Sequence, residues 1–132
     1  MSYFKDLSKY TYISMPKKHL TYLNVGWLSK KKKFPLGQIS SSLLKKLKLL
    51  ANTNRVLESR GLYECELCVS PNTIDNFVEV FHRPTSSAQI HLEYRGVVYC
   101  SPEMIVHYIE DHNYLPPKIY LNALRNIELK KL

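Results

Sequence analysis

The sequence predicts an α+β fold, a small antiparallel sheet with about three helices. Three observations lead there. Phe77-Val78-Glu79-Val80-Phe81 and Ile90-His91-Leu92-Glu93-Tyr94 alternate in the manner of half-buried strands, with Arg95-Gly96 turning the second into Val97-Val98-Tyr99-Cys100. Leu43, Leu44, Leu47 and Leu50 recur at helical spacing. Cys65-Glu66-Leu67-Cys68 is followed at long range by His107 and His112, two pairs of soft ligands flanking the strands. At 132 residues the chain is long enough for one domain with a real core. We read residues 1–132 as one unit, with a basic half at 1–60 and a metal-binding half at 61–132.

In chain order, Tyr10-Thr11-Tyr12-Ile13 is rich in β-formers and stops at Pro16. Tyr22 to Leu28 is a second strand, in which Gly26 implies a bulge or a close backbone approach. Trp27 reads as core. Lys30-Lys31-Lys32-Lys33 repel one another and should form a solvated loop before the turn at Phe34-Pro35-Leu36-Gly37. Ser40, Ser41 or Ser42 can cap the leucine helix, whose Lys45, Lys46 and Lys48 fall away from the apolar stripe. Asn52-Thr53-Asn54 ends it. Ser101-Pro102-Glu103-Met104 has the form of a helix start, with Ser101 as cap and Pro102 in the first position, and that helix should run to about Asp111. Pro116-Pro117 blocks its continuation, and Pro117 opens a last helix through Leu121, Leu124 and Ile127.

The cysteines and histidines carry the chemistry. An odd set of three cysteines, two of them three residues apart, is a poor disulfide framework and a good metal-binding one. Cys-x2-Cys lets two sulfurs reach one ion from a single tight turn, and Ser70-Pro71-Asn72 follows at once. Histidines five residues apart on a regular helix point ~140° apart, so His112 has to sit where the helix loosens, at Asn113 to Pro116. Cys65, Cys68, His107 and His112 therefore make the expected ligands of a structural zinc. Cys100 could replace a histidine. His19, His82 and His91 read as ordinary surface or strand residues. Glu64, Glu66, Glu110 and Asp111 could hydrogen-bond to the imidazoles or simply be solvated charges. The order strand, knuckle, hairpin, helix resembles a ββα or treble-clef zinc module with an enlarged hairpin.

The pattern Gly26-Trp27-Leu28, Phe34-Pro35-x-Gly37, Glu64-Cys65-Glu66-Leu67-Cys68 and Tyr99-x-x-Pro102-Glu103-x-Ile105-x-His107-Tyr108-Ile109-x-x-His112-x-Tyr114-x-Pro116-Pro117 resembles a family of small uncharacterised bacterial proteins. The likeness covers roughly residues 22–124. It implies that these residues travel together, and it brings no assigned activity.

Charge is divided unevenly. Residues 1–60 hold 13 Lys and Arg against Asp6 and Glu58, a net of +11, whereas residues 61–132 hold 6 against 9 acidic residues, a net of −3. Such asymmetry fits a nucleic-acid partner, with Lys30, Lys31, Lys32, Lys33, Lys45, Lys46 and Lys48 on phosphates and Tyr10, Tyr12, Tyr22 or Phe34 stacking on bases. It fits equally a lysine-rich chain whose lysines only solvate its surface. A second reading is a protein-interaction module, such as an inhibitor, adaptor or phage–host conflict protein, because ten tyrosines suit recognition surfaces. A third is a zinc-dependent hydrolase or nuclease, with water in place of one histidine and Glu110, His82 or His91 as base. The sequence lacks His-Glu-x-x-His, a deaminase signature and a glycine-rich phosphate loop, so catalysis is not expected. No apolar run approaches the ~20 residues of a membrane span, and no signal-like apolar stretch follows the N-terminus, so a cytoplasmic location is expected.

Overall fold

The computed structural model of the chain describes residues 3–10, 19–53, 55–56, 63–68, 85–86 and 88–127. Its centre is a four-stranded sheet in the order β1-β6-β5-β2, formed by β1 (Thr21–Asn24), β2 (Arg55–Val56), β5 (Gln89–Tyr94) and β6 (Val97–Pro102). A two-stranded ribbon pairs β3 (Tyr63–Glu64) with β4 (Thr85–Ser86). Among the described residues, three helices complete an α+β fold: α1 (Ser41–Thr53), α2 (Ile105–His112) and α3 (Lys118–Asn126).

The β5–β6 hairpin forms as its sequence demands. Arg95 and Gly96 both have positive φ, 51° and 81°, the two-residue turn whose twist matches paired strands. Register runs from Tyr94↔Val97 to Gln89↔Pro102. The sheet is mixed, however, and not wholly antiparallel, because β1 lies parallel to β6 from Thr21↔Val97 to Asn24↔Cys100. Pairing between segments some 75 residues apart in sequence leaves no local signature. The strand expected at Phe77–Phe81 lies outside the described residues, as do Thr11 to Ile13. The described neighbour of β5 on its other edge is β2, paired antiparallel at Arg55↔Ile90 and Val56↔Gln89.

Ile90, Leu92 and Tyr99 face the helices, where they join Leu47, Leu50, Ile105, Tyr108, Tyr120 and Leu124 in the main core. The opposite sheet face carries Val98 and Cys100, covered by Tyr10 and Trp27 with Phe4, Leu20 and Tyr22 around them. Trp27 is thus core, and its indole N–H donates to the Cys100 carbonyl at 2.9 Å. Gly26 explains the short first strand. Its φ of 84° turns the chain out of β1, and a Cβ there would stand 2.8 and 2.9 Å from carbons of Ile105.

The helices obey their caps unevenly. Ser40 caps α1 by accepting from the Leu43 amide at 3.3 Å, and Leu43, Leu47, Leu50 and Ala51 are buried along one face. The expected cap at Ser101 is not used. β6 continues through Pro102, the Glu103 amide donates to the Ala88 carbonyl at 3.0 Å, and α2 begins only at Ile105 with no side-chain cap. Strand pairing holds the backbone that a helix start would have required. On α3 the buried residues are Tyr120, Ala123 and Leu124, with Tyr120 in place of the expected Leu121. Among the described residues, no helix is long and apolar enough to cross a membrane.

Candidate metal centre

The site is assembled from two places. Leaving β3, the chain makes a single turn of 3₁₀ helix at Glu66–Cys68, closed by a hydrogen bond from the Cys68 amide to the Cys65 carbonyl at 3.3 Å. This tight turn aims both sulfurs the same way. Cys65 is fully buried in the main core and Cys68 half-buried at its rim. The second pair comes from α2. Tyr108 and Ile109 bury the inner face of that helix, which fixes its rotation and leaves His107 beside them. Asn113, in the left-handed region at φ 56° and ψ 30°, ends the helix immediately after His112. His112 therefore occupies the last helical position, where its ring can swing back toward that of His107.

The four ligand atoms converge. Cys68 Sγ lies 3.2 Å from His107 Nε2 and 3.4 Å from His112 Nε2. Cys65 Sγ lies 3.5 Å from His112 Nε2, and the two Nε2 atoms are 3.2 Å apart. All four atoms fall within 4.8 Å of one another. Zinc bonds of about 2.3 Å to sulfur and about 2.05 Å to nitrogen give a tetrahedron with S···N edges of about 3.6 Å and an N···N edge of about 3.3 Å. The three S···N separations and the N···N separation above agree within about 0.4 Å, and with all four atoms inside 4.8 Å the cluster could hold a metal ion.

The surroundings suit a cation. His107 Nδ1 is 2.9 Å from Asp111 Oδ2, one helical turn on, an arrangement in which a proton on Nδ1 would leave the Nε2 lone pair to the cluster. The carboxylate choice left open by sequence thus falls on Asp111, and the i,i+4 spacing was the available signal. Glu110 instead pairs with Lys48 at 2.9 Å, and the side chains of Glu64 and Glu66 lie outside the described residues. Burial pushes the Cys65 thiol up to about 12. The backbone amides of Cys68 and Leu67 act against that shift, whereas the Cys68 thiol reinforces it. Burial, followed by the neighbouring His107, lowers the His112 imidazole, while Asp111 opposes them. Two imidazoles and two thiols facing one point could hold a metal ion, whose positive charge would make thiolates stable there.

The other sequence candidates separate clearly. Cys100 sits on the far sheet face with Tyr10, Trp27 and Val98, outside the cluster. His91 bonds the Gln89 side chain at 3.0 Å and meets Tyr10 edge to face, and burial lowers its pKa. His19 is exposed, and His82 lies outside the described residues. Lys30, Lys31, Lys32 and Lys33 are exposed around a turn, and Lys45 is exposed on α1. Lys46 instead donates to the carbonyls of Arg125 and Ile127 at 3.0 and 2.5 Å, closing the C-terminus of α3. Of the expected stacking residues, Tyr10 is buried with its hydroxyl on Gln89 at 2.7 Å, Tyr22 and Phe34 are half-buried, and Tyr12 lies outside the described residues. Sequence reasoning missed Tyr3 and Lys5, which line a cleft with Lys33 and Phe34.

No match was found among curated proteins or among solved structures. One family model matches residues 2–125, nearly the whole chain. The chain therefore belongs to the family described as "Domain of unknown function (DUF7919)".

Proposed function

We propose that this protein is a zinc-stabilised binding module that contacts nucleic acid through its basic N-terminal half. The observation that carries the zinc assignment is the convergence of Cys65, Cys68, His107 and His112 at tetrahedral spacing, with Asp111 behind His107. Two thiolates and two imidazoles favour zinc over hard cations, which take oxygen ligands. Four protein ligands leave no position for a reacting water, so the metal's task is to clamp the knuckle to α2. In this reading the Cys-x2-Cys and His-Tyr-Ile-x2-His-x-Tyr-x-Pro-Pro segments are the family's metal signature, and the reduced thiols suit a cytoplasmic setting.

The nucleic-acid part rests on charge placement. Lys30 to Lys33 and Lys45 are exposed within the half that carries a net +11. The rival reading drew on the tyrosines, but Tyr10, Tyr99, Tyr108, Tyr114 and Tyr120 are buried, so half of the ten line the core and not a recognition surface. Elemental analysis and zinc-edge absorption spectroscopy should give one zinc per chain with two sulfur and two nitrogen ligands. Oligonucleotide binding followed by fluorescence anisotropy should weaken steeply between low and high salt. A metal-free protein of unchanged stability would overturn the first part, and salt-insensitive or absent binding the second.

A further inference from the structure

Beside the lysine turn, the N-terminal segment and the residues after β1 enclose a cleft of about 250 Å³. We infer that this cleft is a subsite for one nucleotide of a single strand, its base held among Tyr3, Phe4 and Phe34 and its phosphate by Lys5 and Lys33. The inference rests on the nucleic-acid reading above and assigns it a place.

The walls are aromatic and the rim is basic. Leu28 lies in the lining and is itself buried, giving an apolar floor. Tyr3 is 40 % exposed, the degree at which a ring remains available to a ligand. Lys32 stands over the Tyr3 ring at 6.0 Å, a third cation beside a residue of the lining. The ammonium groups of Lys5 and Lys33 have no ion-pair partner among the described residues, so both can turn to a phosphate. The carboxylate in the lining is turned to partners of its own. Asp6 accepts from the Gly26 amide at 3.0 Å through Oδ1 and from the Tyr114 hydroxyl at 2.8 Å through Oδ2.

The cleft is also preformed. Phe4 packs edge to face on Trp27 at 5.4 Å, and its amide donates to the Trp27 carbonyl at 3.2 Å. Phe34 packs edge to face on Tyr114 at 6.0 Å. Walls held in this way cost a ligand little ordering entropy. The volume lies below the ~300–1,000 Å³ of ordinary small-molecule pockets and so suits one planar base, not a whole cofactor. Alternating aromatic and basic groups match the alternation of base and phosphate along a strand, and a base stacked within a duplex could not enter. An acidic peptide would satisfy the lysines and leave the aromatic walls without a partner.

The test uses zinc-loaded full-length protein and a fluorescein-labelled ten-nucleotide thymidine homopolymer, with a duplex of equal length and a glutamate decapeptide as competitors. Tyr3→Ala should weaken binding about tenfold or more at low salt, the loss expected when one base stack is removed. The double substitution Lys5→Ser with Lys33→Ser should lower the slope of log affinity against log salt by about 1.4, two phosphate contacts on a single strand. Both variants change exposed side chains, and unchanged circular dichroism and zinc content establish that they fold. The single strand should compete better than the duplex, and the peptide not at all. Wild-type binding that these variants leave unchanged overturns the subsite while the broader reading stands. Failure of the wild type to bind any oligonucleotide overturns both. Competition by the glutamate peptide overturns the assignment in favour of an acidic protein partner.

Discussion

Replacing Cys68 with serine isolates what the metal contributes from what packing contributes. Cys68 is half-buried, and serine nearly matches it in volume, so the metal-free fold should hardly notice the change. Its sulfur, however, stands 3.2 and 3.4 Å from the two histidine nitrogens, and an alkoxide cannot take its place at neutral pH. A ligand that binds only the folded state stabilises it by RT ln(1 + [L]/Kd), about 4 kcal/mol at a thousandfold excess over Kd. For a chain of this size that corresponds to roughly 12–20 °C in Tm. Calorimetry with excess zinc and with chelator should therefore give the wild-type protein two melting temperatures about that far apart. Cys68→Ser should give one, near that of the stripped wild type, in both conditions. Cys65→Ser should melt lower still, because Cys65 is fully buried in the core and its sulfur contacts are lost as well. A Cys68→Ser protein that keeps one zinc per chain and the wild-type Tm would refute the site, and so would a wild type indifferent to chelator.

Three further outcomes are expected. Asp111→Asn should weaken zinc binding about 10–100-fold, measured by competition with a chromophoric chelator, while the metal-free circular dichroism stays the same. Gly26→Ala should cost about 2–4 kcal/mol in urea unfolding, because positive φ is compounded by a clash with Ile105. Gly96→Ala, with φ of 81° but no heavy atom within 4 Å, should cost only about 1 kcal/mol, and equal losses would refute the contact argument. Metal-free protein should lose stability on both sides of neutrality. Burial lowers His91 and His112 below 6.5, so under that pH the unfolded chain takes up protons that the folded chain refuses, and stability falls with falling pH through the lowered values. Burial raises Cys100 from 9.0 to about 12, so stability also falls as pH climbs above 9.0, and a Tm profile flat from pH 5 to 10 would contradict both shifts.

What the sequence made legible is what short-range chemistry decides. The leucine spacing of α1, the Arg95-Gly96 turn and the tight approach at Gly26 each follow from a few neighbouring residues. The convergence of the cysteines and histidines was legible for the same reason, since Cys-x2-Cys and a histidine at a frayed helix end limit the arrangements available. What stayed hidden depends on distant partners. Nothing near Thr21 announces a parallel partner at Val97. Nothing near Ser101 reveals that Gln89 and Ile90 will claim its backbone ladder and postpone the helix to Ile105. Lys46 resembles its neighbours on α1, yet only the end of α3 explains why it is half-buried.

Tyr114 has a consequence that reaches beyond its own contacts. It stands two residues past His112, its hydroxyl holds Asp6, and its ring supports Phe34. The backbone around it forms a bridge with Leu36 and accepts the Gly37 amide through Asn113. The end of α2 and the cleft wall thus meet across one aromatic ring. If the proposed strand and metal bind there, reciprocity applies: whatever factor the metal adds to affinity for the strand, the strand adds to affinity for the metal. One tyrosine would then join the two proposed sites in a single thermodynamic system.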